Sequence, residues 1–353
     1  PRSTLFPYTT LFRSKEIIYH TDFSDRKAIH DILKQNLFAL QQAYINAGHS
    51  LAMQRASSYS NAVSAAAEYA KGYEAYKYLK DLDDHFEEKA DDFISKLEAL
   101  YKKLFIKERY TLSISGDKRK ENARLFLKDA PHGQIKEKYD IAPLGQKNEG
   151  IVVPANISYA AKASLIKDKD VKIGTMVVLS NILTYDYLWN NVRVKGGAYG
   201  TGFRSGVGKT AAFYSYRDPK PANTLNVFKK TRDYLEDFLL KNRNIENYIV
   251  GTTGEFDPLL STKGSIASGD AEYLTDYSYE DKCEILTEIL NTDLEDIKNA
   301  IPIFDAINEE DNICIIGNKA ALDLCKDDLK SIFDFSANWQ RILVIRFCFI
   351  LIF

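Results

Sequence analysis

What this sequence has little of narrows its function first. Its four cysteines, Cys283, Cys314, Cys325 and Cys348, are widely spaced in the last quarter of the chain. They form no C-x-x-C pair and have no histidine nearby at zinc-ligand spacing, so they read as reduced thiols rather than a metal knuckle. Charge of one sign is also lacking: 47 Lys and Arg stand against 49 Asp and Glu, a net charge of -2, with no long block of either sign. The electrostatic footprint of a nucleic-acid or membrane-surface binder is therefore missing. No apolar run is long enough to cross a bilayer. The strongest, residues 341–353 (RILVIRFCFILIF), carries two arginines and falls short of the roughly 20 apolar residues a span needs. It reads as a frame-shifted or read-through tail.

At the other end, residues 4–14 (TLFPYTTLFRS) read as the in-frame translation of a sequencing adapter, and residues 1–14 are set aside from fold reasoning. The natural chain is expected to begin upstream. Short-period repeats and low-complexity tracts are lacking too. What remains is an ordinary globular composition, 45% hydrophobic and 27% charged over 353 residues, enough for two cores.

Helical periodicity dominates the first third. After Ser24, a capping residue, Ile29, Leu33, Leu37, Leu40 and Tyr44 fall four or three apart, one apolar stripe of a helix expected to end at Gly48. An alanine-rich helix over residues 61–71 stops at Gly72, and a third over residues 84–105 carries Phe93, Leu97, Leu100, Tyr101 and Leu104 on one face. Residues 110–114 (YTLSI) then alternate as a strand. Residues 129–150 lose periodicity and collect Pro131, Gly133, Pro143 and Gly145, which is linker composition.

The second unit opens with residues 151–161 (IVVPANISYAA) as a strand, followed by a helix over residues 171–189 that is apolar on more than one side and so buried. Strands follow at residues 198–203 and 211–216. Leu225, Phe228, Leu235, Phe238 and Leu239 mark one long helix after Asp218 and Pro219. Further helices are expected at residues 245–254, 279–290 and 294–304, and short strands at 312–316 and 331–335. The expected fold class is α+β, an antiparallel or mixed sheet packed by helices on one face.

The chemistry concentrates in residues 187–200, YLWNNVRVKGGAYG. A buried helix runs into Gly196-Gly197 and then a strand. Glycines permit backbone angles that other residues avoid, so the chain can turn sharply here and present Arg193 and Tyr199 on one side. This stretch closely resembles the R-V-K-G-G-A-Y-G segment in the last domain of presequence-protease-like members of the pitrilysin (insulinase-type) metallopeptidase family, and residues 214–219 (YSYRDP) match the next segment there. Gly48-His49 with Ala52, Arg55 and Ala56 resembles the family's G-H-x-x-A-x-x-R-A run; Gly251-Thr252 and the strand at Val153 agree. The resemblance covers residues 15–335.

The resemblance implies four similar α+β domains, each a mainly antiparallel sheet packed by helices, arranged in two halves that close around a peptide chamber. Residues 15–128 would be the helical C-terminal part of an incomplete third domain, 129–150 a linker and 151–336 the fourth domain, with 337–353 an unassigned tail. The family's chemistry uses an H-x-x-E-H helix whose histidines bind zinc and whose glutamate activates water. That motif is absent: among His20, His30, His49, His85 and His132, the nearest approximation, His85-Phe86-Glu87-Glu88-Lys89, puts lysine where the second histidine should stand. The chain is thus expected to be the non-catalytic C-terminal half of a zinc metalloendopeptidase, inactive alone, binding no metal itself, with zinc held in a missing N-terminal half. Its implied partners are peptide substrates and that catalytic half, with no nucleic acid and no membrane. Arg193 and Tyr199 are implied to reach across the closed chamber, hold the substrate carbonyl and stabilise the oxyanion. The alternative is a non-catalytic binding or assembly subunit of the same fold that pairs with a separate catalytic chain. The lack of targeting features gives a cytoplasmic expectation.

Plainer readings compete at several positions. Alone, an arginine and a tyrosine beside a glycine turn read as a surface ion pair and a packed aromatic; the flanking match favours function. His49 reads as a helix-terminus histidine meeting backbone carbonyls. Residues 202–210 (GFRSGVGKT) imitate a phosphate-binding loop, but Phe203 stands where the motif needs glycine and a strand follows instead of a helix. The 22 tyrosines and 19 phenylalanines lack an accompanying basic groove and read as core.

Overall fold

The computed structural model describes residues 7–114, 120–135, 139–168 and 171–335. The first elements are helices: α1 (Pro7–Tyr19), α2 (Arg26–Asn46), α3 (Gly48–Ser58), α4 (Ala62–Lys71), α5 (Tyr73–Asp84), α6 (Phe86–Leu104) and α7 (Lys120–Lys128). Strands β1 (Glu149–Val152) and β2 (Ser158–Leu165) follow, then α8 (Ile173–Ile182), a π-helix (Leu183–Val194), β3 (Gly200–Arg204) and β4 (Thr210–Tyr216). Next come α9 (Pro221–Lys229), α10 (Thr231–Leu240), α11 (Glu246–Phe256), α12 (Thr262–Thr275), α13 (Tyr279–Leu290) and α14 (Leu294–Glu310). The chain then forms β5 (Ile313–Gly317), α15 (Lys319–Asp323) and β6 (Ser331–Asp334). The apolar tail, Cys348 and the first six adapter-like residues lie outside the described residues.

Two compact units interleave along the chain rather than following one another. The first gathers residues 1–38, 77–140 and 260–276, and the second residues 39–76, 141–259 and 277–353. In the first unit every regular element among the described residues is helical. The His30 ring stacks on Phe86 with centroids 3.9 Å apart and its Nε2 meets Asp83 at 2.8 Å. Asp25, not Ser24, caps α2, accepting from the Ala28 amide at 2.9 Å. Residues 110–114 form no strand, contrary to their alternation. Alternation lets a segment line a face, but a ladder needs a second strand; Tyr110 instead packs edge-on against Tyr19 and Phe126.

The second unit is built on one six-stranded sheet, ordered β3-β4-β2-β5-β1-β6. Strands β3, β4, β2 and β5 pair antiparallel, whereas β1 lies parallel between β5 and β6. The expected single strand over residues 151–161 is therefore two strands. The chain leaves β1 at Val153-Pro154, where proline supplies no N–H to a ladder, and β2 re-enters on the far side of β5.

Helices cover both faces of this sheet, not one. β5 is buried along its whole length and β2 along all but its last residue, as in strands covered on both sides. On one face lies α3, which starts at Gly48, the residue expected to end the preceding helix. A Cβ on Gly48 would stand 2.3 Å from the Tyr159 ring, and Ala52 and Ala56 follow at four-residue intervals with no exposed surface. The small side chains let helix and strand approach closely, a packing reason for the G-H-x-x-A-x-x-R-A pattern. The other face carries the main core, where Ala160, Phe203, Phe213, Ile313 and Ile315 meet Leu179, Leu183, Phe228, Phe238, Ile289 and Phe304. The expected long helix over residues 225–239 breaks at Lys230 into α9 and α10. Helix α12, which has no buried residue and hence no apolar stripe to read, was not anticipated.

Candidate functional site

The segment expected to carry chemistry is a helix of unusual geometry. Past Ile182 the helix widens to the π form: the Lys195 amide donates to the Asn190 carbonyl, five residues back, at 3.1 Å. The Asn190 and Asn191 side-chain amides donate to the carbonyls of Asp186 and Tyr187 at 2.6 and 2.8 Å. Such turns are rare and concentrate at functional sites. The helix is anchored near its start, where Asp186 Oδ2 accepts from Tyr234 Oη at 2.9 Å, from Tyr248 Oη at 3.2 Å and from the Arg243 guanidinium. Burial, with the Asp186 charge beside it, pushes the Tyr234 phenol well above its ordinary range.

The helix ends in a turn that only glycine fits. A Cβ on Gly196 would stand 2.3 Å from the Val192 carbonyl oxygen, and Gly197 has φ of 87°. Two hydrogen bonds close the turn, Gly197 N to Arg193 O at 2.9 Å and Ala198 N to Val192 O at 3.1 Å. Beyond it β3 begins, its outer edge sealed at Phe203 and Ser205 by the Thr184 and Ser180 hydroxyls. Residues 202–210 are thus a hairpin between two strands, with no helix N-terminus to receive a phosphate.

Arg193 and Tyr199 come together across this turn. The Arg193 guanidinium carbon lies 3.8 Å from the Trp189 ring centroid and 5.8 Å from that of Tyr199. Tyr199 is 68% exposed and touches Tyr216 edge-on at 5.8 Å. Among the described residues no carboxylate lies within 4.0 Å of Arg193, so the guanidinium is held by ring faces while its N–H edge stays unpaired. Reading the sequence by motif picked out Arg193 and Tyr199 but missed Trp189, whose signal was its place four residues before Arg193 on one helix face.

Two further constellations lie in this unit. His49 is near the start of α3, where backbone N–H groups rather than carbonyls are free, so the expected contact with carbonyls does not form. Its ring lies among Tyr159, Tyr214 and Tyr216, with Nδ1 buried and unpartnered. Burial, and secondarily the charge of Arg204, pushes its pKa below the ordinary value of 6.5. Deeper, Arg55 is 1% exposed and joins three carboxylates: Nε to Glu149 at 2.6 Å, and Nη1 to Glu68 at 2.9 Å and Glu74 at 3.0 Å. Burial opposes its charge, but the Glu149 hydrogen bond and the Glu149 and Glu68 charges outweigh burial and raise its pKa. The cluster ties α3, α4 and α5 to β1. Of its members only Arg55 was marked in the sequence.

The residues present do not fit a zinc ion. No group of three or more His, Cys, Asp or Glu side chains among the described residues is placed to hold a metal. Aromatic rings surround His49, and Cys314 and Cys325 are buried free thiols whose pKa values burial raises. No described helix is long and apolar enough to cross a membrane.

Known proteins share this architecture and much of this sequence. Residues 148–319 match the family described as PreP C-terminal domain, and residues 11–82 match a second family, described as peptidase-associated. Protein HypA of Clostridium perfringens is 35% identical over 323 residues, 88% of this chain and 32% of the relative. Presequence protease 1 of Arabidopsis thaliana, chloroplastic/mitochondrial, is 24% identical over 332 residues, 90% of this chain and 30% of the relative. The chain thus spans about a third of the length of these relatives. The crystal structure of pitrilysin shares the fold, with a TM-score of 0.57 at 11% identity over 89% of this chain and 33% of that one.

Proposed function

We propose, given that the chain belongs to the presequence-protease branch of the pitrilysin-type peptidases and corresponds to their C-terminal half, that it closes over unfolded peptides and supplies Arg193 and Tyr199 to the scissile carbonyl. The observation that carries this reading is the Arg193 guanidinium, stacked on Trp189, facing Tyr199 and free of any carboxylate partner among the described residues. A cation and a phenol on one exposed turn can both donate to a carbonyl oxygen. Each donation strengthens as negative charge develops on that oxygen during hydrolysis, which lowers the barrier. The metal and the water-activating glutamate would come from the other half, since the described residues hold no donor set for them.

The test is to join the chain to the coding region upstream and assay the product on an unstructured fluorogenic peptide, with and without a chelator. Chelator-sensitive cleavage is expected. Arg193→Ala and Tyr199→Phe are each expected to lower kcat about a hundredfold with the fold intact by circular dichroism. Full activity in both variants would refute the role. An upstream region without H-x-x-E-H, and no cleavage, would leave a binding or assembly subunit that pairs with a separate catalytic chain.

A further inference from the structure

Outward from the Arg193–Tyr199 turn, the same wall carries two more guanidinium groups set against aromatic rings. Arg217 lies 5.5 Å from the Tyr216 ring centroid and Arg204 lies 5.7 Å from that of Tyr214. Ring contacts join these pairs into one surface: Tyr199 to Tyr216 at 5.8 Å, and His49 to Tyr216 and Tyr214 at 4.8 and 5.6 Å. Arg26, Arg55, Arg232 and Arg243 each pair with a carboxylate. Arg193, Arg204 and Arg217 have none within 4.0 Å among the described residues; Arg217 meets only the Tyr159 phenol. In a chain whose acids outnumber its bases by 49 to 47, three uncompensated arginines on one strand pair form a local excess of positive charge.

We infer that this wall selects peptides bearing a carboxylate side chain on the segment that crosses β3 and β4, an inference that rests on the peptide-closing function proposed above. The ring faces occupy one side of each guanidinium and leave its N–H edge open, the geometry that receives a carboxylate with two parallel hydrogen bonds. A neutral side chain gains no such charge-assisted bond, and a lysine or arginine there meets like charge. Trp189 marks the end of the surface, so a peptide lying along it changes the surroundings of the indole.

The sequence holds two tryptophans, Trp189 and Trp339. In a Trp339→Phe chain, Trp189 emission can therefore be titrated with two tryptophan-free unstructured peptides that differ only by glutamate or glutamine at one central position. The glutamate peptide is expected to bind about tenfold tighter at low salt, with the ratio shrinking as salt is added. Arg204→Ala and Arg217→Ala are each expected to pull the ratio toward one, with folding checked by circular dichroism. Equal affinities in the parent chain, or a ratio that neither variant changes, would overturn the inference. If the affinities are equal but Arg193→Ala weakens both peptides, the selectivity fails and the peptide-closing function stands. If neither peptide moves the emission, that function fails and the selectivity with it.

Discussion

Replacing Arg55 by methionine tests how the second unit holds α3 against its sheet. Methionine keeps the stem's volume and removes the cation that Glu68, Glu74 and Glu149 share. The acids then keep only weaker partners: Gln54 Nε2 at 2.8 Å and the Tyr73 amide at 3.1 Å on Glu68, and Tyr59 Oη at 3.0 Å on Glu149. Breaking a buried ion pair from one side typically costs about 3–5 kcal/mol. The loss has a ceiling, because a stranded glutamate can take a proton. Raising a glutamate with an unfolded pKa of about 4.3 to neutrality at pH 7 costs about 3.7 kcal/mol, and at pH 5 only about 1 kcal/mol. The sign follows: in the variant the folded-state carboxylate pKa lies above its unfolded value, so the protonated fold is favoured at low pH and that advantage is lost as pH rises. Urea unfolding of parent and variant, followed by circular dichroism, is expected to show about 4 kcal/mol lost at pH 7 and markedly less at pH 5. Arg55→Met with Glu149→Gln is expected to recover part of the loss. Arg55→Lys should recover little, since a point-charge ammonium cannot reach three carboxylates set around a guanidinium fork. A loss below about 1 kcal/mol at pH 7, or one independent of pH, would refute this account of the cluster.

The glycine turn should be intolerant of even a methyl group. Gly196→Ala is expected to lower stability by about 1–3 kcal/mol through contact with the Val192 carbonyl, and Gly197→Ala by about 1–2 kcal/mol through its positive φ. Gly206→Ala, where nothing lies within 4 Å of the added carbon, serves as the control in the same thermal melts. His49 titrates in the opposite sense to the Arg55 cluster. Its pKa is pushed down on folding, so the neutral ring contributes stability above 6.5 that is lost as pH falls through the folded-state value. His49→Gln is expected to flatten that part of the stability profile between pH 8 and 5, and an unchanged slope would count against a buried neutral ring.

Much of the second unit was legible because its elements follow simple local rules. The α13 boundaries at Tyr279 and Leu290 were met at both ends, and a Ser278 capping box starts that helix. The errors came where a local pattern depends on a distant partner. The stretch IVVPANISYAA alternates like one strand, but which strand each part joins is decided by β5, more than 150 residues away. Residues 110–114 have the pattern of a strand and no described partner. The Gly48 position was misread for a similar reason. A glycine can end a helix, yet here it lets α3 begin against Tyr159, a contact with a residue 111 positions later.

The same distinction separates the parts of the site. Arg193 and Tyr199 lie within one turn of chain, so their juxtaposition follows from Gly196 and Gly197 and could be read locally. The arginine–aromatic surface around them needs the β3–β4 register, which sets Gly202 opposite Tyr214 and Gly200 opposite Tyr216. It also needs α3, which brings His49 beneath those tyrosines. Glycine at both β3 positions leaves the facing tyrosine rings uncovered, and a Cβ on Gly202 would stand 2.8 Å from the Tyr214 ring. The glycines that turn the chain and the glycines that bare the rings therefore belong to one arrangement: the first present Arg193, and the second keep open the surface along which a peptide reaching Arg193 would lie.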